Sequence, residues 1–303
     1  MINGITFAPF VMKGAFEAKE AYDSAKALIE RTGSNMLLLT PVGLQANAHS
    51  EKISYSDTIS DDEIKKMTDY IHSLGAEVFI KPTVNCLDGT WRAHIAFFDY
   101  DVVCEPKWSN WFESYSAFQC HYASLAKELG CEMFIAGCEM VMSERREAEW
   151  RQVIKDIRGC YNGPVSYNTD KYQEDHVTWW DAVDVISSSG YYPIGTWDKE
   201  LDRIEKVVKK FDKPFFFAET GCMSSKGSLN VPNNWELRGT VDLEEQAMWY
   251  EDMFSAIRKR DWVGGTCLWS WTDKLYPESE VNKSFDYDIF AKPAEKVVSK
   301  YYR

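Results

Sequence analysis

The feature that most constrains this chain is an alternation of short apolar runs with longer amphipathic stretches, repeated eight times from end to end. The runs are Ile2–Phe10, Asn35–Thr40, Glu77–Thr83 and Glu132–Gly137, then Pro164–Tyr167, Val185–Ser189, Pro214–Ala218 and Gly265–Trp271. Helical spacing of apolar positions predicts helices over Ala15–Arg31, after Ser60-Asp61-Asp62-Glu63, and over Trp111–Leu129 and Ser143–Arg158. It predicts a brief one near Val177–Ala182, then Asp198–Phe211, Leu243–Arg260 and Pro293–Tyr301. Strands apolar on nearly every residue are strands covered on both faces, and eight strand–helix units in series close into a (β/α)8 barrel. The expected fold class is therefore α/β, one TIM-type barrel over residues 1–303. A doubly wound open sheet fits less well, because no glycine-rich fingerprint follows the first strand and no composition break marks a second domain.

With 45% hydrophobic residues the chain can fill the core of such a barrel. Its formal charge of −13 repels phosphate backbones and anionic lipid, so nucleic acid and membrane surfaces are not expected as partners. The opening MINGITFAPF lacks the charged-then-apolar pattern of a leader, and eight scattered cysteines suit a reducing compartment, so a cytoplasmic location is expected. None of those cysteines forms a C-x-x-C pair or a Cys/His cluster at zinc spacing, so neither metal nor cofactor is expected. A nucleophile elbow and a P-loop are both missing. The acids Asp61, Asp62 and Glu63 read as a solvated helix start.

Two loops are long, Pro41–Ser60 and Met223–Asp242, and both leave C-terminal strand ends, the face on which barrel active sites lie. On the same face Glu139 directly follows the fourth apolar run and Glu219 the seventh. A single strand-end acid is commonly a solvent-facing or ion-paired residue; two of them, at opposed strands of one rim, suit chemistry better. Glycosidic cleavage passes through an oxocarbenium-like transition state, in which one carboxyl group protonates the departing oxygen while another meets the anomeric carbon. With retention, the two groups stand about 5–5.5 Å apart. Local sequence does not say which glutamate plays which part.

In order along the chain, GITFAPF, KPTVN, GTWR, FIAGCE, WWDAVD, YYP, FFAETG and LWSW resemble glycoside hydrolase family 113. This family belongs to the four/seven superfamily (clan A) of barrel glycosidases and is known chiefly for β-1,4-mannanases. The resemblance spans almost the whole chain. It implies Glu139 as acid/base and Glu219 as nucleophile, with net retention. It further implies that Tyr191 hydrogen-bonds the nucleophile and that Trp269 floors the adjoining sugar subsite, whereas Trp271 suits the core. The implied substrate is a β-1,4-linked mannooligosaccharide or mannan, and Trp235 in the second long loop could wall one end of the cleft.

Trp91 and Arg92 follow the third strand in a glycine-containing loop, where the pair could stack on and hydrogen-bond a sugar. Asn85 and Asn168 can donate and accept at once, as hydroxyl recognition requires, or equally cap their loops. Lys81 reads either as a buried partner or as a substrate contact. Two positions depart from the clan pattern. Cys138 stands where many members carry an asparagine that binds the sugar 2-hydroxyl, so that contact is expected from Asn168 or Arg92. Ser187-Ser188-Ser189-Gly190 stands where a more apolar strand end containing an acid is expected. Other readings are the same machinery acting on a β-glucan or amino-sugar oligomer, and a sugar-binding barrel without catalysis.

Overall fold

The computed structural model describes all residues 1–303. Eight parallel strands close into a barrel: β1 (Ile2–Phe7), β2 (Met36–Leu39), β3 (Glu77–Ile80), β4 (Met133–Cys138), β5 (Val165–Thr169), β6 (Val185–Ser189), β7 (Phe215–Thr220) and β8 (Val263–Trp271). Each pairs with its sequence neighbours, and β8 returns to β1. Seven helices lie outside: α1 (Lys19–Thr32), α2 (Asp61–Ser73), α3 (Trp108–Glu128), α4 (Glu147–Cys160), α5 (Trp197–Phe211), α6 (Leu243–Ile257) and α7 (Pro293–Tyr302). After β5 the expected brief helix is only a 3-10 turn, Trp180–Ala182. A short parallel pair, Val42–Gln45 with Thr83–Cys86, extends the rim above β2 and β3.

Alternation along the strands divides the core in two. Met36, Leu38, Phe79, Met133, Ile135, Phe216 and Ala218 point inward and fill the barrel with Cys267. Their neighbours Leu37, Leu39, Val78, Ile80, Phe215 and Phe217 point outward, into the much larger cluster beneath the helices. Lys81 continues the inward series after Phe79, so a cation is delivered to the top of the barrel by strand period alone.

Sequence and structure differ mainly at element ends. The first strand stops at Phe7, and Ala8 and Phe10 take left-handed backbone angles (φ 47° and 66°) as the chain turns over the mouth. Helix α3 begins at Trp108, three residues before the expected start, with Trp108 buried against Phe97 at a ring-centroid distance of 4.9 Å. The acidic start of α2 is not wholly solvated: Ser60 and Glu63 form a capping box. Glu63 is also buried, accepting the backbone N–H groups of Gly14 and Phe16 and so tying down the loop after β1.

Candidate active site

Strict alternation would aim Glu219 outward, since Phe216 and Ala218 face in. The register between β6 and β7 slips between Ser188 and Ser189, and that irregularity turns Glu219 toward the barrel axis. A similar slip lies between Ile135 and Cys138 in the β4–β5 pairing, just before Glu139. Glu139 itself has φ 54°, a left-handed conformation costing a non-glycine residue about 1–3 kcal/mol. Its backbone N–H is held by Asn168 O at 2.8 Å. Glycine is required close to each acid. A Cβ on Gly137 (φ 99°) would meet the Tyr115 hydroxyl at 2.0 Å, and one on Gly221 would meet the Trp269 carbonyl at 2.3 Å.

The two glutamates meet in a cavity of about 640 Å³. One carboxylate oxygen of each, together with Cys138 Sγ, lies within 4.8 Å of the others. Both side chains are nearly buried, so each depends on protein partners for its hydrogen bonds. On Glu219, Oε1 accepts the Tyr191 hydroxyl at 2.8 Å, while Oε2 accepts Lys81 Nζ at 2.8 Å and the Cys138 thiol at 3.5 Å. Burial alone would raise the Glu219 pKa. The Lys81 charge and hydrogen bond, then Arg92 and the Tyr191 hydroxyl, outweigh it and hold this carboxyl below its ordinary value. Lys81 is spent on this task, donating also to Asn168 Oδ1 at 2.9 Å and to Ala218 O at 3.2 Å. It is therefore a buried partner and not a sugar contact.

Glu139 is held differently. Its Oε1 accepts the Ser189 hydroxyl at 2.8 Å, and its Oε2 accepts Trp91 Nε1 and Arg92 Nη1, each at 3.2 Å. Asp170 lines the cavity as well; burial first, and then the charge of Glu139, push its carboxyl up to about 7. Cys138, Glu139 and Glu219 are a donor set that could grip a cation, but Lys81 and Arg92 already bring two positive charges to those carboxylates.

Of the residues singled out in the sequence, Asn85, Trp91, Arg92, Tyr191 and Trp269 line the cavity with both glutamates. Arg92 Nη2 donates to Asn85 Oδ1 at 2.8 Å, and the Asn85 amide nitrogen has no partner within the chain. Asn168 is the exception. It lies fully buried below the cavity; its Oδ1 accepts Lys81 and shares the Cys138 thiol with Glu219, and its Nδ2 donates to Thr169 O and to Ser189 Oγ. Fully buried and bonded through both ends of its amide, Asn168 positions Lys81 and Ser189 and does not line the cavity. This leaves Arg92, of the two residues expected to replace the missing asparagine, facing the cavity. Trp235 lines it too, and its ring meets that of Trp91 edge-on at 6.0 Å. Trp271 is in the core, with its indole N–H on Ser24 Oγ.

Sequence reasoning missed Ser189, Asp170, Lys171, Tyr287 and Arg238. Ser189 had a signal: three consecutive serines are unusual at the end of a buried strand, and here Ser189 reaches Glu139 while Ser187 and Ser188 satisfy β5 and Glu174. Asp170 and Lys171 directly follow β5, so position alone marks them. Tyr287 and Arg238 come from irregular segments with no such marker.

Helices of the chain are all too short or too polar to cross a membrane. A comparison with curated protein sequences finds no match. A structure titled a complex of a GH113 beta-1,4-mannanase is 51% identical, with a TM-score of 0.98 and coverage of 99% of this chain and 98% of that one. The GH113 beta-mannanase AaManA from Alicyclobacillus acidocaldarius, in complex with ManMIm, is 43% identical, with a TM-score of 0.96 and coverage of 99% and 96%. The beta-D-glucuronidase of Dictyoglomus thermophilum, at 14% identity and a TM-score of 0.66, shares the barrel alone and is covered over 50% of its length. The model of Glycoside Hydrolase Family 113 matches residues 5–292, and with both acids meeting in one cavity of a closed barrel, the chain belongs to that family of glycoside hydrolases.

Proposed function

We propose that this enzyme cleaves β-1,4-mannosidic bonds in mannooligosaccharides or mannan by double displacement, with Glu219 as nucleophile and Glu139 as acid/base. The observation that carries the reading is the approach of the two carboxyl groups, whose oxygens come within 4.8 Å. That spacing suits attack on an anomeric carbon from one side and leaves little room for the extra water an inverting pair must accommodate. The relatives titled beta-1,4-mannanases support the choice of sugar.

In the first step a Glu219 oxygen forms a bond to C1. The C1–O bond to the leaving sugar breaks, and Glu139 gives its proton to the departing oxygen. In the second step Glu139 takes a proton from water, the water oxygen bonds to C1, and the C1–Glu219 ester bond breaks. Lys81 and Tyr191 keep Glu219 ionised for the first attack. Trp269, half-buried in the cavity floor, offers a ring face to the sugar undergoing reaction. Arg92 and the open Asn85 amide are the donors we assign to its hydroxyl groups.

Digestion of β-1,4-mannotriose and mannotetraose, followed by proton NMR from the first minute, tests both parts. The expected result is release of shorter mannosides whose new reducing ends appear first as the β-anomer. Initial α-anomer would overturn double displacement. Inertness toward mannosides, with turnover of β-gluco- or amino-sugar oligomers, would overturn the sugar assignment.

A further inference from the structure

Apart from Met1 and Met248, every large hydrophobic side chain left open to solvent sits on a loop leaving the C-terminal end of a barrel strand. Single exposed apolar residues need no explanation, but a set gathered on one face does. The densest group lies between β3 and α3, where Phe98 is 61% and Tyr100 85% exposed. Aromatic rings elsewhere in the chain are mostly packed away, and the half-exposed Phe10 and Trp235 already line the cavity.

This loop is built to present them. Phe97 packs edge-on against Trp108, and Ala96 is tied to Ala48 and His49 on the rim above β2. Between the two aromatics, Asp99 accepts Arg145 Nη2 at 2.8 Å, and its backbone oxygen accepts Arg146 Nη1 at 3.5 Å. With Asp99 held toward the start of α4, the side chains on either side of it stand in solvent. The segment that carries the strip also forms part of the cavity wall. The segment leaves the cavity wall at Trp91 and Arg92, and His94 packs edge-on against Trp91 at 5.8 Å. From the other side, Met142 lies three residues past Glu139, and Arg145 bonds both its carbonyl and Asp99.

We propose that Phe98 and Tyr100 form an outlying surface that binds the part of a β-mannan chain protruding from the cavity. Pyranose rings present C–H faces that stack on aromatic planes, and a linear polymer longer than the cavity must leave it along some wall. Arg145 is paired with Asp99, and the next charges along the loop, Asp101 and Glu105, are acidic, so the surface repels anions and suits a neutral ligand. The inference rests on the mannan reading above, and its test separates the two.

The test uses the double substitution Phe98→Ala, Tyr100→Ala, which leaves Asp99, Arg145 and the cavity intact. Kinetics on mannotriose should stay within about twofold of wild type, while KM on soluble polymeric mannan rises about 3- to 10-fold at unchanged kcat. In parallel, the Glu219→Gln protein should be retarded in native gels containing mannan, and adding the double substitution should abolish most of that retardation. An unchanged polymer KM, an equal loss on mannotriose, or undiminished retardation would each overturn the proposal. So would a double variant that dissociates a wild-type dimer in sedimentation while binding mannan normally, since the patch would then join two copies of the chain. Absence of mannotriose hydrolysis by the wild type would count against the proposed function instead, and the gel measurement would still decide the surface.

Discussion

The two walls of the cavity each bring a cation to their carboxyl group, one from the barrel frame and one from a loop. Around Glu219 the partners come from the barrel frame: Lys81 just past β3, Cys138 at the end of β4 and Tyr191 just past β6. A buried cation dominates there, and the carboxyl is held in its charged form. Around Glu139 two of the three partners, Trp91 and Arg92, sit on a loop. That wall is rich in acids, with Asp170 beside Glu139, and Glu144 and Glu174 buried behind them. A group that must stay ionised is best fixed by a rigid frame and a permanent charge; Glu139 also meets a cation, Arg92, but one carried on a loop and set among other acids.

The largest effect expected to expose this asymmetry is that of Glu219→Gln. Loss of the proposed nucleophile should lower kcat on mannotriose by on the order of 10⁴-fold or more. Activity within tenfold of wild type would place the nucleophile elsewhere. For Glu139→Ala the loss should be about 10²- to 10⁴-fold on mannotriose. It should be much smaller on an aryl mannoside whose leaving group needs no proton, and azide should restore turnover with a β-mannosyl azide as product. If leaving-group ability and azide both make no difference, Glu139 is not the acid/base.

Smaller changes probe the frame around Glu219. Lys81→Met removes the charge that lowers the Glu219 pKa, so the acidic limb of kcat/KM should move to higher pH. It also strands a buried carboxylate, a loss of about 3–5 kcal/mol in unfolding free energy. Tyr191→Phe should move the limb the same way by less, with kcat/KM down about tenfold or more for one hydrogen bond to a charged group. An acidic limb that stays in place in both variants would show that Glu219 does not set it.

The barrel was legible because its signal is periodic: apolar strands, helical spacing and turn residues all point the same way. The placement of both glutamates on one rim was legible because position at a strand end needs no side-chain geometry. Other features depended on breaks in that period. Glu219 faces the axis because of a register slip, and nothing local in FFFAET announces one. Asn168 was misplaced for a related reason. A strand-end asparagine reads as available, yet Lys81, Cys138, Ser189 and Thr169 arrive from three other strands or the adjacent backbone and consume it. Lys81 could not be decided from sequence because its partners lie 87 and 138 residues away.

The acid-rich wall carries the subtlest expectation. Glu144 is buried with the hydroxyls of Tyr167 and Thr169 on its Oε1; Asp170 and Glu174 are the other charged groups near it, and no cation answers it. Burial pushes its carboxyl from the ordinary 4.5 up to about 8. The folded chain therefore keeps a proton that the unfolded chain releases above about 4.5, so this residue makes folding less favourable as pH climbs from about 5 to 8. Glu144→Gln keeps the shape and cannot titrate. Its Tm should thus gain on wild type steadily across that interval and level off above it, while kcat/KM on mannotriose changes by less than about threefold, because Glu144 does not line the cavity. Parallel Tm–pH curves for the two proteins would mean that Glu144 is ionised in the fold, and that the wall behind Glu139 holds charge much as the opposite wall does.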